Sequence, residues 1–269
     1  MARRNETTAG DPSAPAKKAS GNHPVVTVYL IVYNLLSSIA WGHILFRLSV
    51  HMLTAPVPSS TSYFASIKFY KSPLPSVLLA VLNSLAPSLV PYAERASGAF
   101  AVIGAETKWV QSVAVLEIVH AALGFVRSPT GMTAAQVSGR LVLLWGVADR
   151  FATARANPLY ASMVFAWSLT EVIRYLFYVS SLAASPPYAL LWARYTTFYA
   201  LYPIGGVSEA LIVFFTLPWK NWGLSEWVRG ALFLVWLPGL YVLYTHMLGQ
   251  RRRVLGDGKG KTLGSKKTR

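Results

Sequence analysis

Tyr202 and Glu209 are the two residues of this chain best placed to exchange protons with a substrate. They bracket the run Tyr202-Pro203-Ile204-Gly205-Gly206-Val207-Ser208-Glu209, which otherwise reads as lipid-soluble. A separation of seven residues is nearly two helical turns, so the phenol and the carboxyl project from one face. An unneutralised carboxylate at mid-bilayer costs about 3 kcal/mol or more, so a Glu kept there calls for a functional explanation. A protonated carboxyl beside a phenol is a usable general acid/base pair. Pro203 removes the hydrogen bond to the Tyr199 carbonyl, and Gly205-Gly206 loosens the next turn. The helix is expected to bend there and open space for a ligand.

Glu117, Glu171 and Glu209 are three of only ten carboxylates in the chain. All three fall in apolar stretches, as do the potential partners Arg140, Arg174 and Arg194. Glu171 and Arg174 are three residues apart and can pair on one helix; Glu117 and His120 have the same spacing. The plainer explanation for such groups is a polar clamp between helices. That explanation is weaker for Glu209, whose own helix offers only Arg194, about four turns away. Other motifs fail. Gly260-Lys261-Thr262 imitates the end of a phosphate loop, but Leu255 stands where the first Gly belongs and no strand precedes it. There is no HExxH pair and no GxGxxG.

The elements that must position these groups are membrane helices. Hydrophobic residues make up 54% of the 269 and charged residues only 13%, against about 25% in soluble domains. Six apolar segments are expected, at residues 25–46, 109–126, 133–151, 159–182, 188–215 and 230–248. Residues 47–107 read as one long connection, with a short apolar run at 77–90 that Pro87 interrupts and that suits an interfacial or re-entrant piece. The expected fold is all-α: a polytopic membrane bundle of six transmembrane helices over residues 24–248, with disordered basic tails at 1–23 and 249–269. The net charge of +15 collects in those tails. Beside membrane spans it follows the positive-inside rule and meets anionic lipid, and no folded basic surface for nucleic acid is visible. Six spans with two basic ends place both termini in the cytosol. The polar start of the chain is not a cleavable signal, so segment one is expected to act as an uncleaved anchor. The chain has no Cys, which excludes disulfides, thiolate metal sites and Cys nucleophiles.

The polar residues lie in a pattern that resembles the 3-hydroxyacyl-CoA dehydratase family, also called protein tyrosine phosphatase-like A. The matching stretches are Tyr29-Leu30 with Tyr33-Asn34, Leu116-Glu117-Ile118-Val119-His120, and Gln136-Val137 with Arg140. They continue through Trp167-Ser168, Glu171, Ile173-Arg174-Tyr175 and Phe177-Tyr178. Trp192, Arg194-Tyr195, Leu201-Tyr202-Pro203, Gly205 and Glu209 complete them. Gly139 precedes Arg140 where the family usually has Ser. The phosphatase-like stretch reads His120-Ala121-Ala122-Leu123-Gly124-Phe125-Val126-Arg127; Ala121 replaces the nucleophilic Cys, so cysteine-dependent phosphatase chemistry is impossible.

The resemblance implies dehydration of very-long-chain (3R)-3-hydroxyacyl-CoA to trans-2-enoyl-CoA, the third step of fatty acid elongation in the endoplasmic reticulum. It maps the catalytic pair onto Tyr202 and Glu209 and the supporting positions onto Arg140, Glu171, Arg174 and Gly205. It implies no metal or redox cofactor, contact with membrane lipid, and the other elongation enzymes (condensing enzyme, ketoacyl-CoA reductase, enoyl-CoA reductase) as partners. Which of Tyr202 and Glu209 is acid and which base stays open. A non-catalytic scaffold binding elongation enzymes is the alternative, which loss of Tyr202 or Glu209 would have signalled. A proton-coupled transporter is a third, but it predicts paired repeats that the sequence lacks. Lys266-Lys267 near the C-terminus resembles a dilysine retrieval signal.

Overall fold

Pro24 opens the first helix, where its missing N–H is no loss, and the His23 ring accepts from the Val25 N–H. This helix, α1 (Pro24–Thr54), has 31 residues and is about 46 Å long, more than the ~30 Å of bilayer hydrocarbon. Val25, Val28, Val32, Leu36 and Ile39 face outward, while Leu30, Tyr33, Trp41, Ile44 and Leu48 are buried. Both faces are therefore apolar, as a helix between lipid and a bundle core requires. The computed structural model describes residues 23–56, 84–218 and 220–256. Residues 1–22 and 257–269 of the expected tails, and half of the 77–90 run, lie outside the described residues.

After a short 3-10 turn (Pro87–Leu89) come α2 (Val90–Ser97), α3 (Ala99–Val113) and α4 (Val115–Ala122). Next is α5 (Thr130–Leu141), which continues as a π-helix over Val142–Ala148. Then follow α6 (Ala152–Arg155), α7 (Leu159–Ala183), α8 (Tyr188–Arg194), α9 (Phe198–Phe215) and α10 (Leu224–Leu255). Every described element is thus helical, in the expected all-α class.

The core forms where α1, α3, α5 and α7 meet, around Trp41, Ile44, Ile103, Leu143, Leu144, Tyr160 and Met163. α7 runs antiparallel to α1: Tyr33 meets Tyr175 at a ring distance of 6.3 Å, and a Cβ on Gly42, farther along α1, would lie 3.9 Å from Val172, earlier in α7. α9 crosses α7 on small residues. A Cβ on Gly205 would lie 3.4 Å from the Ala166 Cβ, and the Ser162 and Ser208 hydroxyls bond at 2.8 Å. Small residues let backbones approach closely where lipid supplies no hydrophobic drive between helices. α10 then lies antiparallel along α9, with Phe233 against Phe214 and Tyr244 against Tyr202.

Four expectations are corrected. The stretch 47–107 is not one loose connection: α1 runs on to Thr54, and α2 and α3 begin at Val90 and Ala99. Arg47 of α1 and Glu106 of α3, both within that stretch, bond to each other across the α1–α3 contact. The His51 ring likewise pairs with the Arg95 carbonyl at 2.7 Å. Second, the 188–215 run, apolar over its expected bounds, is two helices rather than one, α8 and α9 joined at residues 195–197, and Pro203 lies inside α9. A proline removes one hydrogen bond, which a packed membrane helix tolerates. Third, α10 extends to Leu255, past the expected boundary at 248.

Fourth, among the described residues three runs, not six, are long and apolar enough to cross a membrane: Pro24–Thr54, Tyr188–Phe215 and Leu224–Leu255. α7 has the length, at 25 residues, but carries Glu171 and Arg174. The 109–126 segment is split at Ala114, and 133–151 turns from α- to π-helix after Leu141.

Candidate active site

Glu209 sits at the α7–α9 crossing with its carboxylate turned toward α7. The Trp167 indole N–H donates to Glu209 Oε1 at 2.6 Å. Gly205, one turn earlier, leaves the gap: a Cβ there would stand 3.7 Å from Trp167 Cδ1 and 3.9 Å from Glu209 Oε1. Trp236 of α10 closes the other side of the carboxylate. Tyr202 is half-buried, its ring 6.3 Å from that of Tyr244. The Arg140 charge acts on both Tyr202 and Glu209. The phenol and the carboxyl are thus two proton-exchanging groups of one helix under the influence of one positive charge.

Arg140 is itself held from two directions. Its guanidinium lies 4.7 Å from the centre of the Trp167 ring, and its Nη1 donates to Glu171 Oε1 at 2.5 Å. The other Glu171 oxygen accepts from Arg174 Nε at 2.6 Å. Arg174 also grips both Glu117 oxygens, at 2.9 and 2.7 Å, and Tyr175 donates to the same carboxylate. A chain of charge-assisted bonds thus runs from α4 through α7 to α5, and ends against the tryptophan that holds Glu209. Buried charges this deep persist only when paired, and Glu171 keeps only 5% of its side chain exposed.

Arg140, Glu171, Arg174, Gly205 and Glu209 therefore meet in one continuous contact network, with Tyr202 beside it on the Glu209 helix. The expected Glu171–Arg174 pair forms. Glu117 and His120 do not turn to each other: Glu117 takes Arg174, and the His120 ring bonds the Tyr29 hydroxyl at 2.8 Å and meets the Tyr33 ring edge-on at 4.8 Å. Both partners come from helices distant in sequence, which i,i+3 counting cannot see. Arg194 has no carboxylate partner among the described residues and lies among Phe177, Tyr178 and Tyr195. Ala121, in the place of the phosphatase cysteine, is buried.

Sequence reasoning assigned no role to Trp167, Tyr175 or Trp236. For the first two a signal existed. Trp167, Glu171 and Tyr175 recur every four residues, so they line one face of α7 together. Indole and phenol are also the apolar side chains that can donate to a carboxylate.

The profile of the family described as "Protein tyrosine phosphatase-like protein, PTPLA" matches residues 111–257, which includes the whole polar network. A protein of Caenorhabditis elegans named very-long-chain (3R)-3-hydroxyacyl-CoA dehydratase hpo-8 is 35% identical over 88% of this chain and 98% of its own. A probable enzyme of the same name from Schizosaccharomyces pombe is 43% identical over 55% of this chain and 72% of its own. Dehydratase 2 of Mus musculus is 31% identical over 89% and 85%. No solved structure matches the chain. With the family profile covering over half of the sequence and a relative matched almost end to end, the chain belongs to the protein tyrosine phosphatase-like PTPLA family, that of the very-long-chain 3-hydroxyacyl-CoA dehydratases.

Proposed function

We propose that this protein is a very-long-chain (3R)-3-hydroxyacyl-CoA dehydratase, forming trans-2-enoyl-CoA in the third step of fatty acid elongation. The observation that carries the proposal is the Glu209 carboxylate, held by Trp167 on the face that also presents Tyr202. Elimination breaks the C2–H and C3–O bonds, forms the C2–C3 double bond and releases water. One group must accept the C2 proton and one must protonate the departing hydroxyl. Tyr202 and Glu209 supply that pair, and no external proton is consumed overall. The Arg140 charge favours electron density building toward the thioester as the C2 proton leaves. Glu171 and Arg174 hold Arg140, and Gly205 lets α9 approach Trp167. The apolar helices accept the acyl tail. The test is incubation of the purified full chain with 3-hydroxyacyl-CoA. A product lighter by one water is expected; intact, folded protein that yields none overturns the assignment.

The same reading places the protein in the endoplasmic-reticulum membrane among the other elongation enzymes, with α1, α8–α9 and α10 among its spans. The packing supports both termini on one side. The N-terminal half of α1 meets the C-terminal half of α7 through Tyr33 and Tyr175, and the last turn of α10 lies against the start of α9 through Arg251 and Tyr199. With cytosolic ends, Asn5 of the sequon Asn5-Glu6-Thr7 stays unglycosylated. A C-terminal tag should be digested by protease added to intact microsomes. A protected tag or a glycan on Asn5 refutes this topology and any retrieval role for Lys266-Lys267.

A further inference from the structure

We propose that Arg194 and Arg251 form an anion subsite for the phosphate groups of the CoA carrier, at the end of the bundle where α9 begins. The inference rests on the dehydratase reading for its ligand and on the following geometry for its place. Arg140, Arg174, Arg47 and Arg229 each pair with a carboxylate. Arg194 and Arg251 have none among the described residues. Both are instead stacked on aromatic rings. The Arg194 guanidinium lies 4.8 Å from the ring centres of Phe177 and Tyr178 and 5.8 Å from that of Tyr195. The Arg251 guanidinium lies 5.3 Å from the centre of the Tyr199 ring. Stacking fixes the plane of a guanidinium and leaves its N–H edge free, and that edge matches two oxygens of a phosphate.

One Arg194 N–H is spent on the Tyr178 hydroxyl, at 3.2 Å. Arg194 Nε, Arg251 Nε and Thr196 Oγ1 are buried without a hydrogen-bond partner. Two uncompensated cations and an idle hydroxyl thus flank one stretch, residues 194–199. Both side chains are only half-buried, so an incoming anion can reach their outer N–H groups.

The position suits a carrier rather than a free anion. From Arg251 a ladder of rings leads inward: Tyr199, then Tyr244 at 6.4 Å, then Tyr202 at 6.3 Å. Farther along the same α9–α10 seam, Trp236 adjoins Glu209. The midpoint between Tyr202 and Glu209 lies about eight residues, or ~12 Å, along α9 from its start. The pantetheine arm of CoA equals roughly four to five extended residues, on the order of 15 Å. A thioester held between Tyr202 and Glu209 therefore leaves the diphosphate beside Arg194 and Arg251. Anionic lipid headgroups carry the same phosphate chemistry, but a lipid has no pantetheine arm to set its phosphate at a fixed distance from Tyr202 and Glu209.

The experiment compares 3-hydroxyacyl-CoA with the 3-hydroxyacyl-pantetheine of the same acyl chain, which lacks the phosphates. Both are tested on the full-length purified protein, by turnover and by equilibrium binding of a non-reactive thioether analogue. Arg194→Gln and Arg251→Gln should each shrink the preference for the CoA form by about 10- to 100-fold, chiefly through KM. Arg194→Lys and Arg251→Lys should retain part of it. Protein that binds the CoA analogue with this preference but dehydrates nothing keeps the subsite and overturns the dehydratase assignment. Equal losses on both substrates, or an effect that follows the anionic lipid content of the vesicles, overturn the subsite. So does a wild-type protein that binds the two analogues equally.

Discussion

Glu209→Gln is expected to reduce dehydration by about 10²- to 10⁴-fold, the usual contribution of a positioned acid or base, with protein abundance little changed. The amide oxygen can still accept the Trp167 N–H that Glu209 accepts at 2.6 Å, so the α7–α9 crossing is kept and only proton exchange is lost. Tyr202→Phe should cause a loss of similar size, because the ring keeps its place against Tyr244 and only the hydroxyl goes. If the two groups serve one elimination, the double variant should be little worse than either single one. Trp167→Phe is a useful companion: it keeps a ring for Arg140 to stack on but removes the donor to Glu209. Its loss should fall on kcat and be smaller than that of Glu209→Gln. Turnover of 3-hydroxyacyl-CoA in detergent, scaled to folded protein, measures all four. Full activity in Glu209→Gln would remove Glu209 from the mechanism.

Arg174→Ala should instead damage the fold. The guanidinium satisfies Glu117 and Glu171 together, and both carboxylates are largely buried, with 15% and 5% of their side chains exposed. Removing one partner of a buried ion pair typically costs about 3–5 kcal/mol, because the remaining charge stays in place unpaired. Here two charges are left, although Arg140 still reaches Glu171. The measurements are thermal unfolding in detergent and abundance in cells, and both should fall. Adding Glu117→Gln to Arg174→Ala should recover part of the loss, since the stranded charge is then removed. An unfolding temperature unaffected by Arg174→Ala would mean that Arg174 faces substrate rather than supporting Arg140.

Some of this was settled by composition and local spacing. Continuous apolar runs of about twenty residues read as helices in lipid, because an open sheet or loop would leave backbone groups unsatisfied there and a closed barrel would need alternation. A separation of seven residues puts Tyr202 and Glu209 on one face whatever surrounds them, and a separation of three lets Arg174 reach Glu171. Those relations lie within a single helix, so they are visible in one dimension.

Everything that crosses between helices was decided by the fold. Trp167 meets Glu209 where the small residues Gly205 and Ala166 line the contact between α9 and α7. Arg140 passes over Trp167 to Glu171 from a third helix. Glu117 has His120 one turn away, yet it pairs with Arg174 in α7, whose guanidinium covers both carboxylate oxygens. Glu106 and Arg47, 59 residues apart, meet only where α3 packs on α1. Hydrogen bonds and ion pairs act over a few ångströms of space, whereas residues 117 and 174 are 57 apart along the chain. Local periodicity carries no information about such a distance, so only the packing of the helices could specify these partners.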